Sequence, residues 1–245
     1  MNQLEVVMEN QTLETNNEDR GTVWRRIAVV SLLLLVLVGP NFGPIPSFLG
    51  QVMSVDAAVI TLLFTFTAGF VIILAIIQRM LGGMPVREML RSFGLGAPSR
   101  LAANIVGAVV GILWGLLFMS SILQFAPETN LANIDLLRVV AALLAAFGAL
   151  LEDLITRGFL MNQMKKISVP GWAQALISAL VFAIYHTALG FNVFSFAFSI
   201  VYGLILAGLF LWGKRSLTPV ILAHSLAVLI SEPFATMLIF IAPGA

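Results

Sequence analysis

No cysteine occurs in the 245 residues, which removes disulfides, thiolate metal sites and a cysteine nucleophile at once. Charge is nearly as scarce: Lys, Arg, Asp and Glu together make up 10% of the chain, against about 25% in an average soluble domain. A net charge of +1 gives no reason to expect nucleic acid or a strongly charged substrate. Histidine is rarer still, with His186 and His224 the only two. Three signatures are also missing. No HExxH occurs, so a paired-histidine zinc helix is absent, and no Gly-x-Ser-x-Gly elbow is present. Gly208 to Lys214 has the spacing of a phosphate-cradling GxxxxGK, but Arg215 stands where Ser or Thr would hold Mg²⁺. The residues between form an apolar run, so that match is chance.

What fills the chain instead is apolar: 60% hydrophobic residues and a mean hydropathy of +1.02. Such a composition belongs in lipid, so the chain reads as a multi-pass integral membrane protein with membrane lipid as its surroundings. Apolar segments run over about 27–48, 55–78, 102–125, 137–162, 172–190, 194–213, 217–231 and 233–243. The expected fold is an all-α polytopic transmembrane bundle of about eight helices, or seven if Pro233 kinks one helix rather than separating two. Eight charged residues fall within the first 26, and residues 1–22 are polar enough to read as a disordered tail ahead of a helical domain at 23–245. Arg25/Arg26, the Arg79–Arg100 cluster, Lys165/Lys166 and Lys214/Arg215 fall at alternate ends of successive segments. The positive-inside rule then puts the N-terminus in the cytoplasm, with the cell (plasma) membrane as the expected location. Stretch 82–97, short and basic with Met89, Leu90, Phe93 and Leu95, has the pattern of an interfacial amphipathic helix.

Against this background a few ionisable residues stand out inside apolar runs: Glu152, Asp153, Arg157, His186 and His224. Placing such a group at membrane depth costs at least ~2.5–3.5 kcal/mol on insertion scales, so several together point to a polar site in the bilayer. Asp153 and Arg157 have the four-residue spacing, acid first, that favours pairing on one helix face. Glu152 lies about 140° around the helix from Arg157, which leaves it without an in-helix partner and suited to taking and returning a proton. The blander alternatives stay open here. A single buried histidine is as often a hydrogen-bonded structural residue, and Asp153–Arg157 serves equally well as a packing ion pair. On straight helices His186 sits further outward than Glu152, so tilt has to reconcile their depths.

The order Glu152-Asp153-x-x-Thr156-Arg157-Gly158, then Phe182-x-x-x-His186, then His224 resembles the CPBP family of intramembrane endopeptidases, which includes type II CAAX-prenyl proteases and Abi-like proteins. The flanking Arg157–Leu160, Gly203–Leu211 and Ser216–Pro219 agree, so the resemblance covers a core at about 83–231. It implies hydrolysis of peptide bonds in membrane-associated or lipidated peptides. Catalysis is carried over to Glu152, His186 and His224, with Glu152 activating water and the histidines stabilising the oxyanion or orienting that water. Asp153, Arg157 and Phe182 are the supporting residues. Two positions depart from the family pattern: Asp153 stands where Glu is usual, and Val228 stands where the third motif has Asn or Asp. Ser225 and Asn192 are candidates to supply the missing donor.

Two histidines and a glutamate also make a catalytic zinc set, so a metal, if one is present, is expected on Glu152, His186 and His224. The metal-free mechanism is preferred, because with Glu152 as a ligand only Asp153 would remain nearby as a base. Two other classes use the same residues: a membrane scaffold or regulator that has lost turnover, as Val228 suggests, and a proton-coupled transporter with the acid and histidines as a relay.

Overall fold

A computed structural model describes residues 19–125, 127, 134–187, 189 and 193–241, without the side chains of 125, 233, 234 and 236–241. Among the described residues the protein is all-α, with nine helices and no strand. We number them α1 (Arg20–Phe42), α2 (Pro44–Val52), α3 (Val55–Met80), α4 (Val86–Ser92), α5 (Leu101–Phe125), α6 (Leu136–Lys166), α7 (Gly171–Thr187), α8 (Val193–Trp212) and α9 (Thr218–Ile241). Five of them, α1, α3, α5, α6 and α8, are long and apolar enough to cross a membrane. This is an integral membrane helix bundle.

The apolar stretches on either side of Pro233 continue as the single helix α9. The described bundle therefore has seven long helices, the smaller of the two expected counts, because the backbone stays helical through the proline. Conversely, the stretch 27–48 divides. α1 passes through a π-helical turn at Leu34–Val38 and a 3₁₀ turn at Gly39–Phe42, then breaks before the short α2. Pro40 has no N–H to give to the ladder, which accounts for the irregular end. The expected tail at 1–22 lies mostly outside the described residues, but Arg20 to Thr22 are helical. Asp19 caps that helix by accepting from the Thr22 N–H at 3.1 Å, and the Gly21 and Thr22 amides hold its carboxyl below the usual carboxylate range. The amphipathic stretch forms α4, with Met89 and Phe93 buried.

α6 is the central helix. Every residue from Leu151 to Met161 is buried, as expected of a helix packed on all sides. α9 packs against α5 backbone to backbone. Gly107, Gly111 and Gly115 of α5 face Pro219, Ala223 and Ala227 of α9, and a Cβ on Gly111 would lie 2.5 Å from the Ala223 carbonyl oxygen. This is close approach through small residues four apart, the usual way for helices to associate in lipid.

At one end of the bundle, three basic loops meet. Arg215 donates to Asn162 Oδ1 at 2.9 Å, to the Met161 carbonyl at 3.3 Å and to Gln174. Ser216 donates to the Ala97 carbonyl at 2.8 Å, and Asn162 to the Ser92 carbonyl at 3.1 Å. The loops after α4, α6 and α8, which adjoin three of the four basic clusters, thus share one face. On α1, Arg25 and Arg26 line a shallow groove with Ile76 and Met80 near the end of α3.

Candidate active site

The acidic pair sits where α6 changes its winding. A π-helical segment, Leu154–Phe159, begins directly after Asp153. Such bulges loosen the regular ladder, and here side chains take up the backbone groups. The Thr156 hydroxyl donates to the Glu152 carbonyl at 2.8 Å, and the Ser178 hydroxyl of α7 donates to the Thr156 carbonyl at 2.8 Å. Gly158 lies against the backbone of Phe93, and a Cβ there would come within 3.0 Å of the Phe93 carbonyl oxygen. The irregular turn is thereby tied to both α7 and the loop after α4.

Asp153 and Arg157 are completely buried and form the ion pair that their spacing predicts, Arg157 Nη1 to Asp153 Oδ1 at 3.1 Å. Their alignment is not that of a hydrogen bond. Nη1 donates instead to Thr156 Oγ1 at 2.6 Å, while the guanidinium carbon stands 4.6 Å above the Phe182 ring in a cation–π contact. Arg157 Nε and Nη2 have no hydrogen-bond partner among the described residues.

The second oxygen of Asp153 reaches α9. His224 Nδ1 donates to Asp153 Oδ2 at 3.0 Å, a contact across the bundle that spacing alone does not reveal. A carboxylate on Nδ1 fixes the ring orientation and stabilises an imidazolium if one forms, leaving Nε2 for chemistry. Tyr202 flanks the same ring edge-on at 5.5 Å, stacks on Trp114 at 4.6 Å, and donates its hydroxyl to the Ala223 carbonyl at 3.1 Å.

Glu152 is buried, and its side-chain hydrogen bond comes from the Tyr185 hydroxyl on α7 to Oε1. His186 stands at the edge of the group. Its Nδ1 donates to the Phe182 carbonyl at 2.8 Å, and its ring packs between Phe42 at 4.4 Å and Phe182 at 4.3 Å. A carbonyl only accepts, so Nδ1 carries the hydrogen, and in the neutral ring Nε2 is an acceptor.

The structure therefore brings Glu152, Asp153, Arg157, Phe182 and His224 into one connected cluster, with His186 attached through its ring contacts. Among the described residues no three His, Asp or Glu side chains converge to hold a metal ion. Glu152, His186 and His224 are the set considered for zinc. Each of them has one polar atom turned to a different partner, Tyr185, the Phe182 carbonyl or Asp153. Val228, one turn after His224, is half-buried. It packs against an apolar group of Val59, Leu63, Ala141 and Ala145. Asn192 lies outside the described residues.

Residues 134–230 match the family model described as type II CAAX prenyl endopeptidase Rce1-like. Over this segment the chain is similar to the type II CAAX prenyl endopeptidases. The matched segment contains all three motif helices α6, α7 and α9 up to Ile230, and with them every residue of the cluster except Phe42 and Trp114. No curated protein and no solved structure matches the chain.

Tyr185 and Tyr202 were not singled out from the sequence. They are the only two tyrosines in the chain, and both lie within apolar helices rather than at the interfacial belts where tyrosine usually collects. A buried phenol needs a polar partner. That rarity was the available signal.

Proposed function

We propose that this membrane protein is a CAAX-type endopeptidase that hydrolyses peptide bonds in membrane-associated or lipidated peptides with Glu152 as general base. The observation that carries the reading is the state of Glu152. It is a buried carboxylate with Tyr185 on one oxygen and, among the described residues, no ion-pair partner of its own, beside a second carboxylate already engaged by Arg157 and His224. Two adjacent acids thus have separate tasks. Asp153 orients and balances charge, and Glu152 is left to move a proton.

In the proposed sequence, a water on the second oxygen of Glu152 gives up a proton to the carboxylate as its oxygen attacks the scissile carbonyl. The carbonyl electron pair moves onto oxygen. His224, held by Asp153 on Nδ1, faces the developing charge with Nε2 as the imidazolium. His186, whose Nδ1–H is occupied by the Phe182 carbonyl, offers Nε2 to orient the attacking water. Collapse of the intermediate breaks the C–N bond, and Glu152 returns its proton to the leaving amine.

A second reading, a scaffold or regulator without turnover, has one observation in its favour, the apolar surroundings of Val228 where the family has an amide or acid. Purified protein in liposomes, given a prenylated peptide series, separates the two. The enzyme reading expects cleavage that Glu152→Gln abolishes, and the scaffold reading expects none.

A further inference from the structure

Val228 leaves the third motif without its polar group, and the Val59, Leu63, Ala141 and Ala145 side chains it packs against offer no donor. Tyr185, in contrast, is 1% exposed and aims its phenol at the carboxylate assigned as the base. Its ring is set by an edge-on contact with Phe182 at 5.9 Å and a tilted contact with Phe42 at 6.3 Å. We propose that Tyr185 is a further catalytic residue, whose phenol supplies the oxyanion hydrogen bond that Val228 cannot. This rests on the reading of Glu152 as general base.

A merely structural hydrogen bond would not suit this place. A phenol donating to a carboxylate stabilises the unprotonated form of the base, so a bond made only in the resting state would raise the barrier. The arrangement favours catalysis only if the same hydrogen is used again in the transition state. Glu152 provides the means. The phenol and the attacking water occupy the two oxygens of one carboxylate, so the carbonyl that the water attacks comes up beside the phenol. As the water proton reaches Glu152, the carboxylate becomes a neutral acid and negative charge appears on the substrate oxygen. Hydrogen bonds to an ionised acceptor are roughly twice as strong as neutral ones, so the phenol hydrogen follows the charge from Glu152 to the oxyanion. The phenol keeps its proton throughout, and the only proton moved is the one from water to Glu152 and on to the leaving amine. The side chain that precedes His186 in the second motif would then perform what the fourth residue after His224 does elsewhere in the family.

The test measures kcat and KM on a prenylated peptide for wild type, Glu152→Gln, Tyr185→Phe and a form carrying 3-fluorotyrosine at 185. Tyr185→Phe removes one oxygen and keeps the ring. It should lower kcat by about 10²–10³, the usual loss for one oxyanion donor, with KM within about threefold. The fluorinated phenol keeps the shape and is a stronger acid, so its kcat should rise above wild type, a response that a packing role would not give. If Glu152→Gln is inactive while Tyr185→Phe stays within about threefold of wild type in kcat, the tyrosine proposal is wrong and the base assignment survives. If Tyr185→Phe is slow but melts well below wild type, the fluorinated form decides, and a kcat unchanged from wild type overturns the proposal. If wild type is inactive, or Glu152→Gln is as active as wild type, the protease reading falls and takes the role of Tyr185 with it.

Discussion

His224 donates its Nδ1 hydrogen to Asp153 Oδ2 at 3.0 Å, joining two residues 71 positions apart. The contact makes Asp153 the hinge of the site, because its other oxygen faces Arg157 at 3.1 Å. An aspartate, one methylene shorter than the family's usual glutamate, thus bridges two helices. Asp153→Asn should keep the volume but lose the charge opposite the imidazolium. Its kcat should drop at least about 10²-fold, and because Arg157 loses its counter-charge the protein should also melt below wild type. Wild-type turnover in that variant would remove His224 from the charged role given to it.

Breaking the buried pair outright should show in stability. Asp153→Ala or Arg157→Ala leaves the partner's charge stranded, at roughly 3–5 kcal/mol. Thermal unfolding in detergent should put both well below wild type, with Glu152→Gln close to it, since the amide oxygen still accepts from Tyr185. Melting of all three variants together with wild type would contradict a structural ion pair.

Helix contact sets the position of His224. A Cβ at Gly111 would come 2.5 Å from the Ala223 carbonyl, the residue before His224, whereas nothing lies within 4 Å of a Cβ at Gly208. Gly111→Ala should therefore destabilise by about 1–3 kcal/mol and lower turnover by displacing α9, while Gly208→Ala should do neither. The pair of melting curves and rates checks this directly. Equal behaviour of the two variants would mean that α9 is free to shift.

Restoring the family residue at 228 should not help. In sequence terms Val228→Asn offers a donor one turn after His224, but in the bundle it would set an amide at a half-buried position against Val59, Leu63, Ala141 and Ala145. Burial without a partner costs roughly 1–3 kcal/mol by mutational measures. Turnover should stay the same or fall, and the melting temperature should drop. A faster enzyme would show that position 228 reaches the substrate.

The family resemblance and the polar residues were legible in the sequence because ionisable groups are conspicuous in apolar helices. Asp153–Arg157 was readable from spacing alone, being local to one helix. The Asp153–His224 and Glu152–Tyr185 contacts were not, since they depend on how α6, α7 and α9 rotate against one another. The π-helical turn after Asp153 alters that rotation, and neither spacing nor hydropathy reports it. Gly107, Gly111 and Gly115 did carry a readable four-residue period. Helix number turned on Pro233, where composition allowed a break and the backbone ran through.

The lack of native cysteines permits a clean measurement of orientation, which we propose as cytoplasmic for the N-terminus. Single cysteines after Arg100, Lys166 and Arg215 should be shielded from an impermeant maleimide in intact cells, and one within 126–136 should react. Labelling in the reverse sense would invert the bundle.

The central claim is that Glu152 moves the proton. Purified wild type and Glu152→Gln, reconstituted in liposomes, are compared in single-turnover cleavage of a prenylated peptide, with product identified by mass. The account predicts cleavage at one peptide bond by wild type and a rate at least about 10²–10⁴ lower in Glu152→Gln, with equal melting temperatures. Equal cleavage rates in the two proteins would contradict it.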